Sequence, residues 1–212
     1  MSAAAEGRAV LAAELTAAGP DAATLCEGWT TRDLAVHLVL RESRPDAALG
    51  MVLPPLTGHA DRVTQRLRRR PYEALVAAFR DGPPPLSPFR LPFLDAVANA
   101  VEHFVHAEDV RRAGPGAAAP RDLSPAVRDA LWSSTRLQAR MLFRASPVGV
   151  RLVTPQGEAT VRRAPEGAGT VVVRGDVGEV VLFTVGREAV ADVELDGAPD
   201  DVAALTSLRR SI

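Results

Sequence analysis

Lysine is missing altogether: all 25 basic side chains in this 212-residue chain are arginine. With 26 acidic residues the formal net charge is −1, so no electrostatic footprint marks a nucleic-acid or membrane-surface partner. The basic cluster Arg66, Arg68, Arg69 and Arg70 reads as a solvated helix end. Cysteine is nearly absent as well, and a single Cys26 excludes an internal disulfide. No apolar run approaches the roughly 20 residues of a membrane span. The opening Met1-Ser2-Ala3-Ala4-Ala5-Glu6 lacks the basic-then-apolar order of a signal peptide. These absences make a cytoplasmic protein the expectation. No Gly-rich phosphate loop and no Gly-x-Ser-x-Gly elbow occurs either.

What is present is an ordinary globular balance, 47% apolar and 24% charged, on a chain long enough to bury a core. The first two-thirds read as helices. Residues 3–18 carry Val10, Leu11 and Leu15 on one side and stop at Gly19-Pro20. Thr30 can cap a second helix, with Asp33 three residues on as capping-box partner, running to Arg44-Pro45. Residues 58–80 give one or two helices broken near Pro71. The proline-rich stretch 82–92 is a loop. A further helix spans about 92–112 and is closed by Gly114-Pro115-Gly116. Another starts at Ser124-Pro125 and runs to about Phe143. Long helices with short links suggest an up-and-down bundle.

After Ser146-Pro147 the texture changes to short β-branched runs at 148–153, 159–163, 170–173 and 189–195, with helices at 177–185 and 199–208. The expected fold class is therefore α+β. A helical bundle over 1–145 precedes a small α+β domain over 146–212.

The chemistry concentrates in Glu102, His106 and Asp109. At about 100° per residue these three fall on one helix face, beside an apolar stripe of Leu94, Val97, Val101, Phe104 and Val105. His103 and Glu108 point elsewhere. A carboxylate and an imidazole four residues apart can share a small cation such as zinc. One more ligand must come from another helix, and His37, flanked by Leu34 and Leu38, is the best candidate. Plainer readings stay open: a hydrogen-bonded core histidine, and a surface Glu–His pair. His59 reads as a surface histidine. Cys26 reads as a small buried residue, having no histidine near it in sequence.

Two segments carry a resemblance. Cys26-Glu27-Gly28-Trp29-Thr30-Thr31-Arg32-Asp33-Leu34-Ala35-Val36-His37-Leu38 resembles the opening signature of the mycothiol-dependent maleylpyruvate isomerase family of actinobacteria, within the DinB-like metal-binding bundles. Glu102-x-x-x-His106-x-x-Asp109 is similar to the second half of that signature, as found in an uncharacterised metal-binding branch. Val177 to Arg187 resembles the helix and turn of the family's C-terminal, sterol-carrier-like domain.

The resemblance implies a DinB-like four-helix bundle with zinc, or another divalent metal, on His37, Glu102 and His106. It makes Asp109 the residue that orients His106 or a bound water. Helix geometry alone puts Arg41 one turn beyond His37, where it would pair with Asp109 or meet an anionic substrate, and Arg187 would hold a substrate carboxylate or part of the cofactor if the C-terminal domain folds over the metal. The implied activity is a metal- and mycothiol-dependent isomerisation or S-transfer on a small electrophile. Its partners would be a small-molecule thiol and a substrate, and the chain a monomer or homodimer. A non-catalytic metal- or ligand-binding protein and a hydrolase using zinc hydroxide are the competing classes.

Overall fold

The computed structural model describes residues 2–48, 57–84, 92–114 and 118–210, with α6 side chains from Asn99 onward. The chain divides into two compact units, 1–116 and 117–212. The first contains α1 (Ala3–Ala18), α2 (Thr31–Ser43), the single turn α3 (Pro45–Ala48), α4 (Thr57–Arg68), α5 (Tyr72–Arg80) and α6 (Pro92–Arg111). The second contains α7 (Pro125–Leu142), β1 (Gly149–Thr154), β2 (Gly157–Arg162), β3 (Thr170–Arg174), α8 (Val177–Thr184), β4 (Glu194–Asp196) and α9 (Pro199–Thr206).

Local chemistry sets the helix ends. Ser2 accepts the amide of Ala5 at the start of α1, and Gly19 leaves the helix at φ 74°, a conformation costly for a residue with a Cβ. The capping box of α2 forms as read from the sequence. The amide of Asp33 donates to Thr30 Oγ1 at 3.3 Å and the amide of Thr30 to Asp33 Oδ2 at 3.1 Å. Pro71 ends the α4–α5 connection and opens α5, where its missing N–H costs nothing.

Hydrogen bonds between helices show the directions. Thr31 at the start of α2 donates to Gly19 at the end of α1, and Arg8 near the start of α1 donates to Glu42 near the end of α2. These helices are antiparallel. Tyr72 donates to the carbonyl of Leu15 at 2.7 Å and Arg8 to that of Phe79 at 3.0 Å, so α5 also opposes α1. α6 opposes α2, with His37 beside Glu102 and Arg41 beside Asn99. Between them lie Leu11, Leu15, Leu34, Leu38, Leu75 and Phe79, all at or below 2% exposure. Each such side chain contributes roughly 1.5–3 kcal/mol of hydrophobic stabilisation.

The second unit is an α+β fold with strand order β2-β1-β3-β4. β1 and β2 form an antiparallel hairpin, β1 and β3 are parallel, and β3 and β4 are antiparallel. α8 is buried on all sides and packs against α7 and β1. Arg210 closes this core. Its guanidinium sits 4.9 Å from the Phe143 ring and 5.0 Å from that of Phe183, paired with Glu188.

One expectation is corrected here. The strand read at 189–195 is instead a 3₁₀ turn at Glu188–Val190 followed by the three-residue β4; too few residues pair with β3 to extend it. By contacts the chain divides at 116/117, because α7 packs against α8 and β2. Within the expected apolar stripe, Val101, Phe104 and Val105 are buried, while the side chains of Leu94 and Val97 lie outside the described residues. Most of the loop 82–92, together with Pro115 and Gly116, also lies outside them.

Candidate metal centre

Two helices and one loop build the site. His37 lies seven residues after the Thr30 cap, two helical turns on, so it shares the face on which Trp29 enters α2. The Trp29 and His37 rings are 5.2 Å apart and tilted by 55°. On α6, Glu102 and His106 are four residues apart and face α2 together. Leu25 at the loop donates its amide to the carbonyl of Asp109 at 3.0 Å, tying residues 23–30 to the end of α6.

Both imidazoles converge on one carboxylate oxygen. His37 Nε2 lies 3.1 Å and His106 Nε2 3.3 Å from Glu102 Oε1. One donor atom from each of His37, Glu102 and His106 lies within 4.8 Å of the other two. Donors at the corners of a tetrahedron with bonds of about 2.0–2.1 Å sit about 3.3 Å apart, so these separations fit a zinc-like ion. Arg41 Nε is 3.4 Å from the same oxygen, and Arg41 also donates to the Asn99 side chain. Arg41 therefore sits on Glu102, on the same side as His37.

Asp109 holds His106 from behind, its Oδ2 2.9 Å from Nδ1. A ring whose Nδ1–H points at a carboxylate presents the Nε2 lone pair forward, the arrangement usual for a ligand histidine. Burial disfavours a charge on Glu102, yet bonds from His106 and His37 and the nearby positive groups outweigh it, holding Glu102 well below the ordinary carboxylate range. For His106, burial opposes the proton, while the bonds to Asp109, Cys26 and Glu102 draw its pKa well above the ordinary value. The pocket thus holds a carboxylate anionic beside an imidazole that keeps its proton more tightly than usual, and a divalent cation would have to displace that proton.

The remaining residues fall into place around this. His59 is partly exposed and pairs with Asp46 at 2.8 Å, a surface histidine as expected. His103 is fully buried, its Nε2 2.8 Å from Glu42 and its Nδ1 donating to Ala4. Glu108 is buried against Arg111 and Arg112. Arg187 donates to the carbonyl of Val185 in the second unit.

Sequence reading missed two things. One is the buried network of Arg8, Glu42 and His103. The other is Cys26, whose Sγ lies 3.2 Å from Asp109 Oδ2 and 3.9 Å from His106 Nδ1. The only hint of it was that Cys26 stands in the same short segment as His37.

A helical unit that brings two histidines and one glutamate to a common point has a group able to hold a metal ion. Residues 1–86 match the family model of the mycothiol maleylpyruvate isomerase N-terminal domain, which supports the maleylpyruvate isomerase, DinB-like family for this chain. The match carries Cys26, Trp29 and His37 and ends before α6, which supplies Glu102 and His106. No curated protein and no solved structure matches significantly.

Proposed function

We propose that this protein is a divalent-metal enzyme, with zinc the first candidate. It would use a low-molecular-weight thiol of the mycothiol type to isomerise, or to add sulfur to, a small electrophilic substrate. One observation carries the reading: the Nε2 atoms of His37 and His106 meet at a single Glu102 oxygen, in a chain whose N-terminal part matches a mycothiol isomerase domain. His37, Glu102 and His106 would hold the ion, leaving a position open as catalytic rather than structural sites do. A divalent cation there favours the thiolate, the nucleophilic form of an incoming thiol.

The chain's own side chains do the rest. Asp109 fixes the ring of His106. Arg41 helps keep Glu102 anionic, and its guanidinium, whose Nε is 3.4 Å from Glu102, would suit a carboxylate on the substrate. The Trp29 ring packs against one flank of His37.

The test is metal analysis of the purified chain beside His37→Ala, Glu102→Ala, His106→Ala and His59→Ala. The first three are expected to lose most of the metal and the last to keep it. Thermal stabilisation by mycothiol, or by a surrogate thiol, should then require the metal. Turnover that proceeds equally well with no thiol would replace this reading with a hydrolase.

A further inference from the structure

We propose that Cys26, Asp109 and the Nδ1 side of His106 form a second cation position, distinct from the one at His37 and Glu102. His106 has two ring nitrogens pointing in different directions. Nε2 faces the first cluster, while Nδ1 faces Asp109 Oδ2 at 2.9 Å and the Cys26 sulfur at 3.9 Å. A neutral ring has one lone pair, so a cation here takes Nδ1 with the ring proton moved to Nε2, and both positions fill together only with His106 bridging as an imidazolate. The third edge, Cys26 Sγ to Asp109 Oδ2, is 3.2 Å. The donor atoms of all three lie within 4.8 Å of one another. A cation with bonds of about 2.0 Å to nitrogen and oxygen and 2.3 Å to sulfur spaces its donors by roughly 3.3–3.6 Å, close to the mean of these edges.

The thiol is placed rather than incidental. The Cys26 amide donates to Thr24 Oγ1 at 3.2 Å, its carbonyl accepts from Trp29 at 3.0 Å, and the adjacent Leu25 amide is bonded to Asp109. His106 and Asp109 are buried, at 5% and 0% exposure, whereas Cys26 is half-buried. As a hydrogen-bonding group Cys26 adds little, since a thiol is a weak donor and Asp109 Oδ2 already faces His106. As a ligand it changes the chemistry, because thiolate selects thiophilic ions such as zinc, cadmium or copper(I) over the hard oxygen-seeking ones.

Cobalt(II) reports on this directly, since only sulfur ligation gives an intense near-ultraviolet sulfur-to-metal band. The metal-stripped full-length chain, kept reduced and free of oxygen, is titrated with cobalt(II). The same titration is run on Cys26→Ser and on His37→Ala. The expected result is a sulfur band in the native chain, lost in Cys26→Ser and kept in His37→Ala. That result stands even if the His37 cluster binds nothing, so the two proposals fail separately. Cobalt bound with no sulfur band in the native chain would overturn the inference. So would a sulfur band that vanishes in His37→Ala, because Cys26 would then merely join the first ion.

Discussion

Glu42 and His103 meet at 2.8 Å, each one position past Arg41 and Glu102, which meet at 3.4 Å. α2 and α6 are therefore pinned twice at one level, once in the core and once at the candidate centre. Neighbouring positions on a helix point about 100° apart. The two contacts thus fix both the rotation of α6 and its slide along α2. That is how a core pair sets the aim of Glu102 towards His37.

Removing one member of the buried network should be costly. Glu42→Ala strands the Arg8 guanidinium and the His103 ring without their shared carboxylate. A loss of about 3–5 kcal/mol is expected, the range for breaking a buried ion pair from one side. Urea unfolding measures it. A loss within about 0.5 kcal/mol, as for surface substitutions, would mean the network does not hold the helices.

The same carboxylate makes stability acid-sensitive. Burial works against its charge, but hydrogen bonds from His103 and Arg8 prevail, so Glu42 sits below its ordinary 4.5 in the folded chain. A carboxylate lowered by folding stabilises the native state above its unfolded-state pKa. That contribution is lost as pH falls through the folded-state value. Unfolding free energy should fall from about pH 5 downward, and Glu42→Gln should flatten part of that slope. An unchanged slope would assign the acid sensitivity to other groups.

Several parts of this arrangement were legible in the sequence. Caps such as Thr30 with Asp33 are local, so helix starts could be read directly. The i, i+4 spacing of Glu102 and His106 is likewise set by helix geometry alone. Cys26 and Asp109, 83 residues apart, were brought together by tertiary packing that no local pattern encodes. The Arg8–Glu42–His103 network failed to show for the same reason, because charged residues in a helix pattern look solvated until a partner is known. The 188–196 stretch has strand-like composition, yet hydrogen-bonded pairing with β3 decides what forms, and only Glu194–Asp196 obtains it.

Asp109→Asn tests the support behind His106. The amide can still contact Nδ1 but no longer carries the charge that favours a forward-facing lone pair. Metal affinity is expected to fall about 10–100-fold, the usual effect of removing such a partner. Competition with a chromophoric chelator gives the number. An unaltered affinity would remove Asp109 from the site.

Trp29 should report metal loading, since its ring is 5.2 Å from that of His37. In a Trp132→Phe background the remaining indole fluorescence should shift in intensity when zinc is added and return with chelator. In Trp29→Phe, retaining Trp132, the zinc-dependent part should disappear. Emission indifferent to zinc in the first variant would place the ion away from His37.

His37 and Glu102 stand 65 residues apart along the chain. Bringing them together closes a long loop, whose entropic cost local helix formation does not offset. A peptide spanning α6 keeps Glu102 and His106 but has no opposing imidazole, so it makes a poor chelator. Capture of an ion at this point would thereby be coupled to completion of the helical unit. Any ion bound at this point draws its affinity from the folded ensemble and returns it as resistance to unfolding.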